Sequence, residues 1–300
     1  MRSLSRRRPV AAFILFAIAV TGVVFGLPLL SVNGIGLIPV ELPAMEPFVL
    51  VEAVALVLIA LMVTRMADDS PGVREFRGRI FRFRVNPLWY LFALLALPTT
   101  ALVTAIVVSG PGAVAELWAQ PELLLAILVN AIGAFVLVNW WEEAAFTGFV
   151  LHRLQPRFGP VRASVLTTWA QALVHVPLVF VADGVTTGRV AAADVPVYLV
   201  ALFLLPIPVR IVITWLYNVA RQSIPVVGLF HAGLGVATGT AFIPEIAPDF
   251  NQFWVYAGFA AVAAVVLTVT KGRLGYEAPA SESWGVSHPL QRGDLSESPS

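Results

Sequence analysis

Two adjacent carboxylates, Glu142 and Glu143, lie inside a long apolar run at residues 131–149. A charged side chain at the centre of a bilayer costs ~2.5–3.5 kcal/mol even on lenient insertion scales. A run that keeps two such charges side by side needs a specific reason for them. His175 and His231 lie in later apolar runs. Ionisable residues inside apolar spans are candidates for function, so these four residues are the candidate site.

Composition supports a membrane protein. Hydrophobic residues make up 58% of the chain and charged residues 12%, whereas soluble domains have about 45–50% apolar and about 25% charged residues. The chain has no cysteine, which excludes disulfides and thiol chemistry. The net charge of +1 gives no reason to expect a nucleic-acid partner, and the partner implied by composition is the lipid bilayer.

The apolar runs are long enough to cross a bilayer, which takes about 20 residues each. Proline and glycine mark the breaks between them. The sequence therefore predicts an all-α, polytopic integral membrane helical bundle of about eight helices. We expect Pro206 and Pro208 to kink the sixth helix. The predicted spans are 9–30, 46–66, 87–109, 121–151, 160–182, 195–219, 224–242 and 252–270.

Loop charges predict the orientation. Arginine and lysine occur before the first span and in every second loop, whereas the other loops are mostly acidic. Under the positive-inside rule, this pattern predicts a multi-pass protein of the cell membrane with both termini cytoplasmic. The acidic loops carry Glu41, Glu46, Glu116, Asp183, Asp194, Glu245 and Asp249, with Arg189 as their one basic residue.

We divide the chain into three parts. Residues 1–86 form an N-terminal two-helix hairpin with a basic cytoplasmic loop, and residues 87–270 form the helical core that carries the candidate site. Residues 271–300 are rich in serine, proline, glycine and charge, which predicts a disordered cytoplasmic tail.

The candidate residues are predicted to lie at a similar depth in the membrane. Counting 1.5 Å per helical residue from the nearest cytoplasmic arginine places each of them ~15–20 Å along its span. Arg210 in the sixth span falls at a similar level. Scattered polar residues have no cause to share a level, so the sequence predicts one site built from several helices. The reference pairs are Glu142 with Arg153, His175 with Arg162, and His231 with Arg221.

The residue types suit hydrolysis. A carboxylate in apolar surroundings is a stronger base than one in water, and it can take a proton from a water molecule. A histidine can orient that water or donate to an oxyanion. A glutamate and two histidines could alternatively hold Zn²⁺ with one open position. Glu142 and Glu143 point ~100° apart on a helix, so we expect one of them to face the reaction.

Each residue also has a structural interpretation. An intramembrane histidine often makes only an inter-helix hydrogen bond, and the glutamate pair could simply neutralise Arg210. A relay in a proton-coupled transporter is a third interpretation, because such relays also use buried glutamate and histidine.

Three motifs resemble those of one family. Thr147 and Gly148 follow the glutamate pair, His175 lies in the segment 169–177, and His231 follows the segment 214–218. Their order and spacing resemble the CPBP family of intramembrane proteases, the CAAX prenyl protease 2 and bacteriocin-processing group also called Abi, over roughly residues 87–270. The resemblance implies that Glu142 activates water with His175, and that His231 stabilises the oxyanion.

The chain departs from the family pattern at three positions. The pattern is Glu-Glu-x-x-x-Arg, then Phe-x-x-x-His, then His-x-x-x-Asn, and this chain has Thr147, Gln171 and Gly235 in the Arg, Phe and Asn slots. Gly235 removes a side-chain donor from the expected oxyanion site. Losing one such donor typically costs ~10²–10³ in rate. Arg210, Asn218 or a water molecule could replace it.

The resemblance thus implies an intramembrane endopeptidase that cuts membrane-associated proteins or peptides near the cytoplasmic leaflet. The alternative is a non-catalytic membrane partner or immunity protein of the same fold, which Gly235 favours. The cofactor, with Zn²⁺ as one possibility, the substrate and the oligomeric state stay open.

Overall fold

A computed structural model describes residues 2–42, 45–120, 122–181, 191, 193–238, 246–247, 250–251 and 253–277. The predicted disordered tail falls mostly outside this range, because residues 278–300 are not described. The loop charges Asp183, Arg189, Glu245 and Asp249 also lie outside it.

The described residues form helices and connecting turns, with no strand among them, so the all-α prediction is confirmed. The α-helices are α1 (Arg2–Arg7), α2 (Pro9–Val24), α3 (Gly26–Leu30), α4 (Glu46–Ile80), α5 (Pro87–Ser109), α6 (Gly112–Ala119), α7 (Glu122–Ala134), α8 (Trp140–Ala145), α9 (His152–Phe158), α10 (Pro160–His175), α11 (Val195–Leu204), α12 (Ile207–Val219), α13 (Ile224–Thr238) and α14 (Phe253–Val269).

The structure is that of a polytopic membrane protein. Within the described ranges, five helical segments are long and apolar enough to cross a bilayer: Glu46–Ile80, Pro87–Ser109, Glu122–Phe158, Pro160–Phe180 and Val195–Val219. Three shorter apolar helices, α2, α13 and α14, lie where the sequence predicts further spans. The multi-pass prediction is confirmed, whereas the total of eight spans and the cytoplasmic location of the termini stay predictions.

Prolines shape two of the long segments. The predicted kink in the sixth span is confirmed, since α11 ends at Leu204 and α12 begins at Ile207 with a turn between them. Helix α4 continues to Ile80, 14 residues beyond residue 66, the predicted end of the second span. Most of the basic loop predicted to follow that span is therefore helical. Helix α4 bends at Asp69 (φ 56°, ψ −156°), two residues before Pro71. In a regular helix, the ring of Pro71 would clash with the backbone carbonyl one turn earlier, so the helix is broken there.

The N-terminal helices share one hydrophobic core with the rest of the bundle. Phe13 of α2 packs against Phe146 and Phe149, with ring centroids 5.9 Å and 5.1 Å apart. All three rings are fully buried. Helix α2 is therefore packed directly on the helical rod that carries the two glutamates.

One close backbone contact sets the position of α13. A Cβ atom added at Gly228 would lie 2.9 Å from Cα of Trp140 and 3.2 Å from its backbone nitrogen. Only glycine lets α13 approach α8 this closely. His231 lies three residues later on α13, so the same contact brings its ring to the two glutamates.

We predict that Gly228→Ala lowers stability by about 1–3 kcal/mol, because the added methyl group clashes with backbone that cannot move aside. The measurement is thermal unfolding in detergent. Gly235→Ala on the same helix is the control, since a Cβ there meets nothing within 4 Å. Alanine favours a helix over glycine by up to about 1 kcal/mol, so the control should be neutral or stabilising. Equal effects of the two substitutions would show that the contact does not position α13.

Candidate functional site

The two glutamates lie in the middle of a continuous helical rod. Helix α8 is only six residues long and is flanked by π-helical turns at Phe135–Asn139 and Phe146–Leu151. Such turns insert a residue into the helical register and occur frequently at functional sites. Glu142 is 4% exposed and Glu143 is fully buried. The rod therefore presents both carboxylates to the protein interior.

Glu142 faces both predicted histidines. Its Oε1 lies 3.3 Å from Nε2 of His175, and its Oε2 lies 3.9 Å from Nδ1 of His231. His175 is the last residue of α10, whereas His231 is in the middle of α13. Three segments far apart in the sequence thus bring one carboxylate and two imidazoles together, as the shared depth predicts.

The contact between His175 and Glu142 needs a positive charge. Nδ1 of His175 lies 2.9 Å from the carbonyl oxygen of Gln171. A carbonyl oxygen only accepts hydrogen bonds, so this nitrogen carries a hydrogen. The unprotonated Nε2 of that tautomer and the ionised carboxylate of Glu142 would then both be acceptors. A further proton or a cation must therefore lie between the imidazole and the carboxylate.

Glu143 points to the other side of the rod. Its Oε2 accepts a hydrogen bond from Nη1 of Arg210 at 2.7 Å and another from the hydroxyl of Thr147. Its Oε1 lies 2.8 Å from Nδ1 of His231, an ion-pair distance without good hydrogen-bond geometry. The two glutamates therefore face different partners, as expected from the sequence: Glu142 faces His175 and Glu143 faces Arg210.

Arg210 is the cation that neutralises this side of the site. It is 3% exposed. Its Nη1 donates to Thr147 Oγ1 at 2.8 Å, and its Nη2 donates to the side-chain oxygen of Gln171. The guanidinium therefore bonds to two neighbours of α12, the central rod and α10. Structural pairing with Arg210, one of the alternatives from the sequence, is found for Glu143.

These contacts explain two departures from the family pattern. Residue 147 is the slot for a motif arginine, and here a guanidinium reaches the same place from Arg210 on α12. Thr147 and Gln171 provide the oxygen atoms that accept from it. An arginine side chain at residue 147 would compete for that space. The basic group is thus present but is supplied by another helix.

The third departure is not compensated in the same way. Gly235 is exposed on α13 one turn after His231, and no heavy atom lies within 4 Å of a Cβ built there. The Asn218 amide donates to Gln155 and to the carbonyl of Leu274, each at 2.9 Å. Both Asn218 and Arg210 are therefore bound elsewhere and do not replace the missing donor.

Glu52 of α4 is a site residue that the sequence analysis missed. It is fully buried, and its Oε1 accepts a hydrogen bond from Thr21 at 3.0 Å. Donor atoms of Glu52, Glu142 and His175 all lie within 4.8 Å of one another. The signal was present, since Glu52 is also a charge inside an apolar run. It belongs to no motif, however, and it lies about 90 residues before Glu142.

Residues 120–237 match the model of a protein family described as type II CAAX prenyl endopeptidase Rce1-like. The match supports the resemblance of the chain to CPBP family intramembrane proteases. The matched segment contains both glutamates, both histidines and Arg210, whereas Glu52 lies outside it. No curated protein matches this chain.

We predict that Arg210→Met lowers the stability of the protein by about 3–5 kcal/mol, because it leaves the Glu143 carboxylate buried without a counter-charge. Adding Thr147→Arg in the Arg210→Met background should restore much of the loss, since the motif position then supplies the guanidinium. Thermal unfolding of the single and double variants measures both effects. If Arg210→Met unfolds at the wild-type temperature, the ion pair is not needed for stability.

Proposed function

We propose that the protein is an intramembrane endopeptidase that hydrolyses peptide bonds of membrane-associated proteins or peptides near the cytoplasmic leaflet. The observation that carries this proposal is the position of the buried Glu142 carboxylate between His175 and His231. The match of residues 120–237 to a protease family model supports the same reaction.

In the proposed reaction, Glu142 takes a proton from a water molecule that His175 helps to orient. The water oxygen forms a bond to the carbonyl carbon of the substrate, and the carbonyl electron pair moves to its oxygen. The oxyanion electron pair then re-forms the C=O bond as the C–N bond breaks, and Glu142 returns the proton to the nitrogen of the leaving amine.

His231 is the proposed oxyanion donor. Its Nδ1 lies 2.8 Å from Glu143, which in turn binds Arg210. The buried pair therefore holds the ring in place beside Glu142. A fixed donor contributes most where charge develops in the transition state, because it needs no reorganisation during the reaction.

For a metal-dependent reaction, we propose a different ligand set from the glutamate and two histidines considered from the sequence. The donor atoms of Glu52, Glu142 and His175 converge, and two carboxylates with one imidazole are suitable ligands for Zn²⁺. His231 belongs to no such set among the described residues. When bound, the ion would acidify a water molecule and polarise the substrate carbonyl.

We predict that Glu142→Gln and His175→Ala each reduce cleavage at least 10²-fold, because general-base catalysis contributes ~10²–10⁴. Glutamine keeps the shape of glutamate but cannot accept a proton. Glu143→Gln should cost less activity. The measurement is peptide release by purified protein from a panel of membrane-anchored substrates. Unchanged turnover in Glu142→Gln would reject the proposed reaction.

His231→Ala should lower kcat ~10²–10³-fold with little change in KM, because an oxyanion donor acts mainly in the transition state. The same peptide-release assay, run over a range of substrate concentrations, separates the two constants. An increase in KM with unchanged kcat would assign His231 to substrate binding instead.

The second candidate is a non-catalytic membrane partner or immunity protein with the same fold, and Gly235 is the observation that favours it. The open space at Gly235 provides the test. Gly235→Asn should raise kcat if the wild type is a protease that lacks this donor, with Gly235→Ala as the control for side-chain bulk. Absence of cleavage in both wild type and Gly235→Asn across the substrate panel would favour the non-catalytic function.

A further inference from the structure

The two parts of helix α4, before and after the bend at Asp69, line one cavity of about 500 Å³. We call it the α4 cavity, and its volume is typical of ligand pockets, which have ~300–1,000 Å³. Residues four apart share one face of a helix, and each part of α4 contributes such a stripe to the wall. The lining includes Val57, Leu61 and Arg65 before the bend, Arg77 and Phe81 after it, and Trp141 from the central rod.

The second part of α4 is fixed to the central rod, so the wall of the α4 cavity belongs to the packed structure. The carbonyl oxygen of Ile80 accepts a hydrogen bond from Nε1 of Trp140 at 2.9 Å. The ring of Phe81 packs edge-on against Trp140, with centroids 5.5 Å apart. Trp140 in turn stacks on Trp141, with centroids 4.7 Å apart. The apolar end of the cavity is therefore held open by a row of three aromatic rings.

Two arginines of the α4 cavity are available for an anion. Arg65 and Arg77 are both exposed, and neither forms an ion pair with a described carboxylate. Arg65 donates one hydrogen bond to Ser70, and a guanidinium has five N–H donors, so most of its donors remain for a ligand. The carboxylates nearby in sequence already have partners, Asp68 with Arg153 and Glu75 with Arg79.

The two arginines lie nearer the bend than the apolar end of the cavity does. At 1.5 Å per helical residue, Arg65 lies ~6 Å and Arg77 ~12 Å from the bend along their parts of α4. Val57 and Phe81 lie ~18 Å from it by the same count. Phe81 and Trp141 line this far end together. The α4 cavity thus has a basic region followed by an apolar region, which matches a ligand with an anionic head and a hydrocarbon chain.

We propose that the α4 cavity binds one anionic phospholipid, with its phosphate at Arg65 and Arg77 and an acyl chain against Phe81 and Trp141. Guanidinium groups bind phosphate oxygens through paired, charge-assisted hydrogen bonds. Helix α4 is long and apolar enough to cross a bilayer, so lipid is the amphiphile that surrounds it. A zwitterionic lipid would bring an ammonium group close to the two guanidinium groups, so an anionic headgroup is favoured.

The test counts bound lipid without substrate, so its result is independent of the proposed function. The full chain is purified in detergent, delipidated, and titrated with phosphatidylglycerol or with phosphatidylcholine of the same acyl chains. Native mass spectrometry counts the lipids bound per chain. We expect one phosphatidylglycerol to bind at concentrations at which phosphatidylcholine does not. Arg65→Gln/Arg77→Gln should weaken this binding at least ~10-fold, because each basic group near a headgroup contributes roughly fivefold.

The matched control is Arg74→Gln/Arg84→Gln. It removes the same charge from two exposed arginines close in sequence to Arg77 that do not line the α4 cavity, and it should bind phosphatidylglycerol as the wild type does. Thermal unfolding checks that each variant is folded. If the Arg65→Gln/Arg77→Gln variant does not fold, Arg77→Gln alone provides the charge test.

Two further variants test the position of the acyl chain. Leu61→Trp keeps both arginines but fills part of the cavity, so it should also weaken phosphatidylglycerol binding. Bromine atoms on an acyl chain quench the fluorescence of a tryptophan that they contact. Phosphatidylglycerol with brominated chains should therefore quench the wild type more than brominated phosphatidylcholine does, and Trp141→Phe should lose the difference.

Four results would overturn the proposal. The first is equal binding of the two lipids, and the second is an equal loss of binding in the Arg74→Gln/Arg84→Gln control, which would indicate attraction to general surface charge. The third is displacement of the lipid by millimolar inorganic phosphate, which would indicate a simple anion site. The fourth is wild-type binding in Leu61→Trp together with unchanged quenching in Trp141→Phe, which would place the lipid elsewhere on the protein.

Discussion

Arg210 and Glu143 form an ion pair at the centre of an apolar bundle, and the rest of the site is arranged around it. The guanidinium is 3% exposed and also binds the side chains of Thr147 and Gln171. Burying either charge alone would cost several kcal/mol, so each of these groups requires the others. The pair joins α12 to the central rod and α10, and it frees Glu142 to face the two histidines.

The packing of the helices is consistent with this role. Gly228 allows α13 to approach α8, which brings His231 to the glutamates. Phe13 packs α2 on the same rod, and the neighbouring α4 brings a carboxylate oxygen of Glu52 within 4.8 Å of donor atoms of Glu142 and His175. A polar pocket inside an apolar bundle needs such close packing, because a displaced helix would leave a charge without its partner.

The family pattern and the structure differ in how they supply a basic group. The pattern has an arginine one turn after the second glutamate, whereas this chain has Thr147 there and supplies the guanidinium from Arg210. The two solutions are electrostatically similar, because an arginine one helical turn after Glu143 could reach the same carboxylate. Gly235 is a different kind of departure. It leaves open space beside His231, and no described side chain fills it.

The sequence by itself determined the helical membrane fold, the two glutamates, the two histidines and their common level, because hydrophobic run length and helical rise depend only on local order along the chain. The tertiary structure alone decided which groups pair. Glu52 lies far from the motifs in sequence, and Arg210 replaces a motif residue from another helix. Both assignments depend on how the helices pack and rotate against one another. Hydrophobic patterning constrains this packing and rotation only loosely, because nearly every helix face is apolar.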